Sequence, residues 1–229
     1  MADPIGAGQI PLDLPYEEAL GRDDFLIGAS NRAAFELIDR WPDWPSDVVL
    51  LAGPIGAGKT HLVEIWRELS GARKVAAADL HLTEPSALAA QGAVAVEDAH
   101  AGFDEKAMFH LLNTCRQSGA HVLITSRTWP QSWKLTVPDL ASRLRAATPV
   151  EIEEPDDDLL RRLLVKLFAD RQIMVDPAVI EFLVVRMERS LAVAGRLVNL
   201  LDRMSLADRK KITRPLAGKC LEMLSSSSE

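Results

Sequence analysis

Along the first part of the chain, short unbroken apolar runs alternate with amphipathic stretches. Val48-Val49-Leu50-Leu51-Ala52 is such a run, closed by a glycine-rich turn, and it has the pattern of a strand buried on both faces. Further strands are predicted at Lys74 to Ala78, at Val94 to Asp98 with two acids at its end, at His121 to Ser126 with a polar end, and at Val150 to Ile152. Helical spacing falls between them. Ser30 to Asp39 reads as a helix with Ser30 as N-cap, closed by Trp41-Pro42-Asp43-Trp44-Pro45, and Lys59 to Leu69 and Ala107 to Ser118 read as two more. Strands that alternate with helices predict right-handed crossovers and a parallel sheet, whose ligands bind at the carboxyl ends of the strands. The glycine-rich turn, the Glu97-Asp98 pair and the Thr125-Ser126 pair then fall on one edge.

After Pro155 the period changes. Leu159, Leu160, Leu163, Leu164 and Leu167 recur at helical spacing, as do Ile180, Leu183, Val184 and Met187, and then Leu197, Leu200, Leu201 and Met204. No strand pattern follows, which predicts a small all-helical domain. Before residue 20 the chain carries Pro4, Gly6, Gly8, Pro11 and Pro15, which favour an extended arm. The expected organisation is an arm over 1–20, an α/β domain over 21–153, a helical domain over 154–224 and a disordered polar tail over 225–229.

Composition narrows the function classes. Hydrophobic residues make up 48% of the 229 and charged residues 26%, ordinary for a globular protein. The net charge of −7 argues against tight nonspecific DNA binding, which needs a basic surface to displace counterions. The two cysteines, Cys115 and Cys220, lie in predicted helices without metal-type spacing, so two reduced buried thiols are expected, with a disulfide between them as the alternative. The N-terminus shows no secretion signal and no run is long and apolar enough to span a bilayer, so a cytoplasmic chain without membrane partner is expected.

Gly53-Pro54-Ile55-Gly56-Ala57-Gly58-Lys59-Thr60 satisfies the P-loop pattern, with a strand before it and a helix after it as that motif requires. Its glycines let backbone N–H groups wrap phosphates, the helix start adds positive potential, Lys59 neutralises the β- and γ-phosphates and the Thr60 hydroxyl can ligate Mg²⁺. ATP or ADP is the expected ligand. Glu97 is placed to hold Mg²⁺ and Asp98 to polarise an attacking water, although two solvated acids at a strand end would read the same. Glutamate before aspartate reverses the usual order and argues against fast hydrolysis. Ser126 can orient water or touch the γ-phosphate, or can simply cap the strand. Arg143, between the two domains, suits stabilisation of a transferring phosphoryl group across a subunit boundary, while taken alone it is more often a surface salt-bridge residue. Gln9, Leu12 and Leu14, in Gln9-Ile10-Pro11-Leu12-Asp13-Leu14, form either a docking peptide or an arm folded onto its own domain.

Together these segments resemble an AAA+ module of the DnaA kind. Phe25-Leu26-Ile27-Gly28-Ala29-Ser30-Asn31 is similar to the family's opening box near the adenine, and the P-loop, the acidic strand end, Thr125-Ser126-Arg127 and Asp139-Leu140-Ala141-Ser142-Arg143-Leu144 follow in the family's order. The resemblance implies an AAA+ P-loop NTPase core with a five-stranded parallel sheet and an all-α lid. It implies a nucleotide held by Phe25, Ile27, Pro54, Ile55, Gly56, Ala57, Gly58, Lys59, Thr60 and His61. The lid arginine common in the family falls on Ala192 here, so Arg196, one turn on, is the expected substitute.

Within that family the chain is most similar to the Hda branch, the regulatory inactivators of DnaA. The lid is not followed by room for the initiator's DNA-binding domain, and Gln9, Leu12 and Leu14 match the Q-x-x-L-x-L peptide with which that branch docks on the DNA polymerase III sliding clamp. The resemblance implies an ADP-bound adaptor with at most weak ATPase activity of its own. Arg143 would enter the active site of DnaA in trans and stimulate hydrolysis of DnaA-bound ATP, so lowering initiation of replication. A nucleotide-dependent homodimer and no direct sequence-specific DNA contact are expected. The alternative is a self-sufficient AAA+ ATPase that loads another protein onto DNA.

Overall fold

The computed structural model describes residues 20–208 and 210–226. In chain order the elements are α1 (Arg32–Asp39), β1 (Val48–Ala52), α2 (Lys59–Ser70), β2 (Arg73–Ala76), α3 (Pro85–Ala89), β3 (Ala93–Glu97), α4 (Glu105–Ser118), β4 (His121–Ser126), α5 (Pro138–Ala146), β5 (Thr148–Glu151), α6 (Asp157–Asp170), α7 (Pro177–Arg186), α8 (Leu191–Asp208) and α9 (Arg214–Ser226).

The five strands form one sheet in the order β2-β3-β4-β1-β5, and every pairing is parallel. The runs are apolar throughout because both faces of the sheet are covered. Alternation along each strand sends Val49, Leu51, Ala93, Ala95 and Leu123 to one face, where Ile38, Leu62, Ile65 and Trp66 of α1 and α2 pack. It sends Val94, Val96, Val122 and Ile124 to the other, against Met108, Leu111 and Leu112 of α4 and Leu140 and Leu144 of α5. The four helices α6 to α9 enclose a separate core around Leu160, Leu164, Phe168, Leu183, Leu197 and Leu201. The α/β fold with a helical lid predicted from the hydrophobic pattern is the fold observed.

Local differences have local causes. The first helix begins at Arg32 with Asn31 before it, rather than at a Ser30 cap. Ser30 is buried with no partner for its hydroxyl among the described residues, while Asn31 accepts from Gly28 N–H at 2.8 Å and donates to Leu26 O at 2.9 Å, so the asparagine ties the loop together. The second strand stops at Ala76, because Ala77 to Leu82 turn as a short 3-10 helix, with Ala77 and Leu80 packed under the sheet. The last helix continues through Ser225 and Ser226, whose hydroxyls donate to Leu221 O and Met223 O, so these two residues are helical rather than tail. Both cysteines are free and buried.

Among the contacts that join the α/β domain to the lid, four bear on the site. Lys166 on α6 reaches Asp24 at 2.8 Å, Arg162 Nη2 donates to Ile27 O at 2.9 Å, and Leu159 fills the space where a Cβ on Gly28 would sit. The fourth is the N–H of Leu191, at the start of α8, which donates to Gly56 O in the P-loop at 2.9 Å.

Candidate functional site

The site begins where β1 ends. Gly53 N–H donates to Ser126 O at 3.2 Å, so the P-loop departs from the sheet beside the end of β4. The loop needs glycine for two reasons. Gly56 (φ +70) and Gly58 (φ +103) adopt left-handed backbone that side chains disfavour. A Cβ on Gly56 would lie 2.1 Å from Ser190 Oγ, and one on Gly53 would lie 2.5 Å from Ile152 O. Gly58 then caps α2, whose first turn carries Lys59, Thr60 and His61. The result is a concave strip of backbone at a helix N-terminus, the arrangement that receives phosphate oxygens.

The strip is one wall of a cavity of about 410 Å³, within the range for small-molecule sites. Ile55, Gly56, Gly58, Lys59, Thr60 and His61 line the first wall, Phe25 and Leu26 the second. From α6, Leu159, Leu163, Lys166, Leu167 and Asp170 form a third, and Leu191, Ala192 and Gly195 of α8 close it. The strand ends contribute Asp98 and Arg127. Phe25 stacks on Phe35 and meets the His61 ring edge-on, which fixes the aromatic wall.

Lys59 is held inside the loop, where its ammonium donates to Gly53 O and Pro54 O, each at 2.7 Å. Burial pushes its pKa down; the nearby Asp98 charge opposes that, and Arg127 adds to it. A phosphate beside Lys59 would favour its charged form. Asp98 takes a left-handed conformation (φ 59), with its N–H donating to Thr125 Oγ1 at 3.1 Å, and its carboxylate lies 3.8 Å from His100 Nδ1. His100 is pushed down first by burial and then by Arg127, and its Nδ1 has no hydrogen-bond partner among the described residues.

A family model described as "Hda, lid domain" matches residues 157–221, the span from the first residue of α6 into α9. A DnaA 2 of Chlamydia caviae is 23% identical over 226 residues, covering 86% of this chain and 48% of that protein. Domain III of the Thermotoga maritima initiator DnaA superposes with a TM-score of 0.72 at 18% identity, over 91% of this chain and 98% of that one. An AMPPCP-bound DnaA of Aquifex aeolicus gives 0.63 at 18% identity, over 82% of this chain and 68% of that one. Over 157–221 the chain is thus similar to an Hda-type lid, and its fold is that of the DnaA structures. It spans less than half the length of the curated DnaA relatives it matches, 48% and 39%.

The fold brings most of the expected nucleotide residues to one cavity and leaves several outside it. Phe25, Ile55, Gly56, Gly58, Lys59, Thr60, His61 and Asp98 line it. Ile27 and Ala57 pack instead into the core shared by the sheet, α1 and α2, and Pro54 serves through its carbonyl, which Lys59 engages. Glu97 is not in the lining; its carboxylate pairs with Lys74 at 3.3 Å, and that lysine also holds Glu64 at 2.6 Å. Ser126 is fully buried, and its hydroxyl donates to Thr128 O at 2.7 Å and accepts from Thr128 N–H at 3.2 Å, so it staples the turn after β4. Arg196 is exposed and lies outside the cavity, where Ala192 and Gly195 face it. Gln9, Leu12 and Leu14 lie outside the described residues.

Arg143 sits on α5, away from the P-loop cavity. Its guanidinium lies 5.4 Å from the centre of the Phe109 ring on α4, and the side chain borders a separate cavity of about 170 Å³ with Asp47, Arg116 and Cys115. The residues that sequence reasoning passed over are Arg127, Lys166 and Asp24. Each is charged, and only the chain's path places its side chain at the P-loop cavity. No helix among the described residues is long and apolar enough to cross a membrane, and no cluster of three or more His, Cys, Asp or Glu side chains is gathered for a metal there.

Proposed function

We propose that this protein is a nucleotide-binding adaptor that stimulates hydrolysis of ATP held by a DnaA-type initiator, and so lowers initiation of DNA replication. The observation that carries the reading is the position of Arg143. The arginine stands on a helix flank outside its own P-loop cavity, against Phe109, where it cannot serve a nucleotide bound by the same chain. A planar, permanently charged fork so placed suits charge stabilisation on a phosphoryl group held by another subunit.

The chain's own site binds ADP or ATP. Backbone N–H groups from Gly56 to Thr60 and the Lys59 ammonium face the phosphates, and Phe25 and Leu26 face the base. The Thr60 hydroxyl would hold Mg²⁺ that arrived with the nucleotide, and the ion would supply charge neutralisation. Glu97, tied to Lys74, is not free to serve as its ligand, and that supports an adaptor with weak hydrolysis over the self-sufficient ATPase. On this reading 21–153 form the nucleotide domain and 154–224 the lid, and Gln9, Leu12 and Leu14 of the 1–20 arm dock on the DNA polymerase III sliding clamp. The adaptor works in the cytoplasm, makes no sequence-specific DNA contact, and pairs head to tail through nucleotide.

The test is hydrolysis of DnaA-bound ATP with DNA-loaded clamp and ADP present. Stimulation by the wild-type protein that is lost in Arg143→Ala supports the trans-acting arginine. Absence of stimulation by the wild type, together with turnover of ATP by the chain alone, would return the reading to the self-sufficient ATPase. Stimulation that survives Gln9→Ala with Leu12→Ala would sink the clamp-docking peptide.

A further inference from the structure

Six charged side chains line the P-loop cavity, with Lys59, Arg127 and Asp98 in one group and Lys166, Asp24 and Asp170 in another. The grouping is electrostatic. Lys59 is pushed down by burial and then shifted by the charges of Asp98 and Arg127, whereas Lys166 is pushed up by its hydrogen bonds to Asp170 and Asp24. Neither lysine responds to the other group, so the two groups mark separate ends of the cavity. The P-loop end is net positive and the α6 end net negative, and Phe25, Leu26 and Leu163 supply apolar wall. A nucleotide has the same polarity, with a polyanion at one end and a neutral, donor-rich nucleoside at the other.

The α6 end is built from both parts of the chain. Leu159 sits against Gly28 and Lys166 against Asp24, so α6 follows the 24–28 segment for about 10 Å at the helical rise. Asp170, one turn after Lys166, completes the group. The Lys166 ammonium donates to Asp24 Oδ1 and to Asp170 Oδ2, each at 2.8 Å. The other oxygen of each carboxylate, Asp24 Oδ2 and Asp170 Oδ1, enters no hydrogen bond or ion pair among the described residues. One ammonium therefore fixes two carboxylates side by side, each with an acceptor to spare, and one positive charge does not cancel two negative ones. Such a pair repels phosphate and attracts neutral donors.

Two neighbouring acceptors match the vicinal hydroxyls of a ribose, which present two donors on one face of the sugar, and a hydroxyl bond to a carboxylate is charge-assisted. We propose that Asp24 and Asp170 are the sugar-recognition pair of this cavity, whose free oxygens accept from the ribose 2′- and 3′-hydroxyls of the bound nucleotide, so that the site selects ribonucleotides over deoxyribonucleotides. The assignment rests on the nucleotide reading above and adds to it a selection among nucleotides. Asp24 precedes the sheet and Asp170 ends α6, so the sugar is gripped from the α/β side and from the lid at once.

The test is calorimetry on the full chain with ADP, 2′-deoxy-ADP, 3′-deoxy-ADP, IDP and inorganic pyrophosphate, wild type against Asp24→Ala and Asp170→Ala, with thermal melts to establish that each variant is folded. The wild type should bind ADP about fivefold or more tighter than either deoxy form, since one charge-assisted bond is lost with each hydroxyl. In each variant that preference should shrink towards one for at least one deoxy form, while pyrophosphate is bound no more weakly than by the wild type. IDP, which lacks the adenine amine, should lose as much in the variants as ADP does. Equal affinity of the wild type for ADP and both deoxy forms would overturn the assignment whether or not the variants fold, and would leave the nucleotide reading intact. So would variants that lose ADP and the deoxy forms equally, the mark of a clasp between domains, or a loss that is absent with IDP, the mark of a contact to the base. A folded wild-type chain that binds neither ADP nor ATP would overturn the nucleotide reading itself, and this pair's role with it.

Discussion

The backbone N–H of Leu191 donates to the carbonyl oxygen of Gly56 at 2.9 Å, and this bond connects the first residue of a lid helix to the P-loop. Ser190, immediately before it, is buried, and its Oγ occupies the point where a Cβ on Gly56 would project. Lid and P-loop therefore meet at backbone distance, and a change in one is felt by the other.

Gly56→Ala should accordingly damage both stability and nucleotide binding. The added methyl meets Ser190 Oγ at 2.1 Å, and the left-handed backbone adds strain. Overpacking of this kind costs about 1–3 kcal/mol, and each kcal/mol lowers Tm by roughly 2–4 °C in a chain of this size. Thermal denaturation with and without ADP checks it; a melting temperature equal to wild type in both would show that the contact is relaxed at no cost.

Lys166→Met removes the ion pairs that join α6 to Asp24 across the cavity. The three side chains are 26–34% exposed, so solvent screens the pairs, and the stability cost should stay near 1 kcal/mol. Its effect on ligand exchange should be larger in proportion. Release of a fluorescent ADP, followed by stopped flow, should speed up in the variant, and the gap from wild type should close at high salt.

Glu105 links the first turn of α4 to the segment that leads into the Arg143 helix. Its carboxylate accepts from Thr136 N–H at 2.9 and 3.0 Å and from Val137 N–H at 2.8 Å, and these bonds, Thr136 first, hold its pKa below the usual 4.5. A depressed carboxylate contributes stability that is present above its unfolded pKa and lost as pH falls through the folded value. Glu105→Gln should therefore melt below wild type at pH 7, with the difference shrinking as pH drops beneath 4.5. A difference that grows in acid would contradict the sign.

Phe109 is the surface on which Arg143 rests. If the protein acts as proposed, Phe109→Ala should lower the stimulation of DnaA-bound ATP hydrolysis less than Arg143→Ala does, because a partly exposed cation–π contact contributes about 0.5–1 kcal/mol. Phe109→Tyr keeps the ring and should restore it. If Phe109→Ala abolished stimulation and Phe109→Tyr failed to rescue, the effect would lie in packing of α4 and not in the arginine.

Burial pushes the Cys115 thiol up to about 11, and Cys220 is shifted in the same direction by the same cause. The thiolate is the reactive species, so both should resist a thiol reagent at pH 8 in the native chain. Two thiols per chain should react in denaturant, and rapid labelling of either in the folded state would contradict the burial.

Much of this architecture is legible in the chain because its causes are local. An unbroken apolar run such as Val48 to Ala52 has to be covered on both faces, which requires helices on each side of a parallel sheet, and the glycines that follow admit a backbone that other residues resist. The P-loop, the strands behind it and the helical lid follow from such patterns. The partners of individual charged residues do not. Glu97 ends a strand as expected, yet the register Ala76 to Glu97 places Lys74 on the same face of the neighbouring strand, and that lysine claims the carboxylate. Arg127 and Arg196 carry the same charge, but sheet order sets one beside Gly53 while helical phase turns the other out of the cavity. Local preference is written residue by residue, whereas which charge meets which is decided by elements far apart in the chain, and so by the tertiary structure alone.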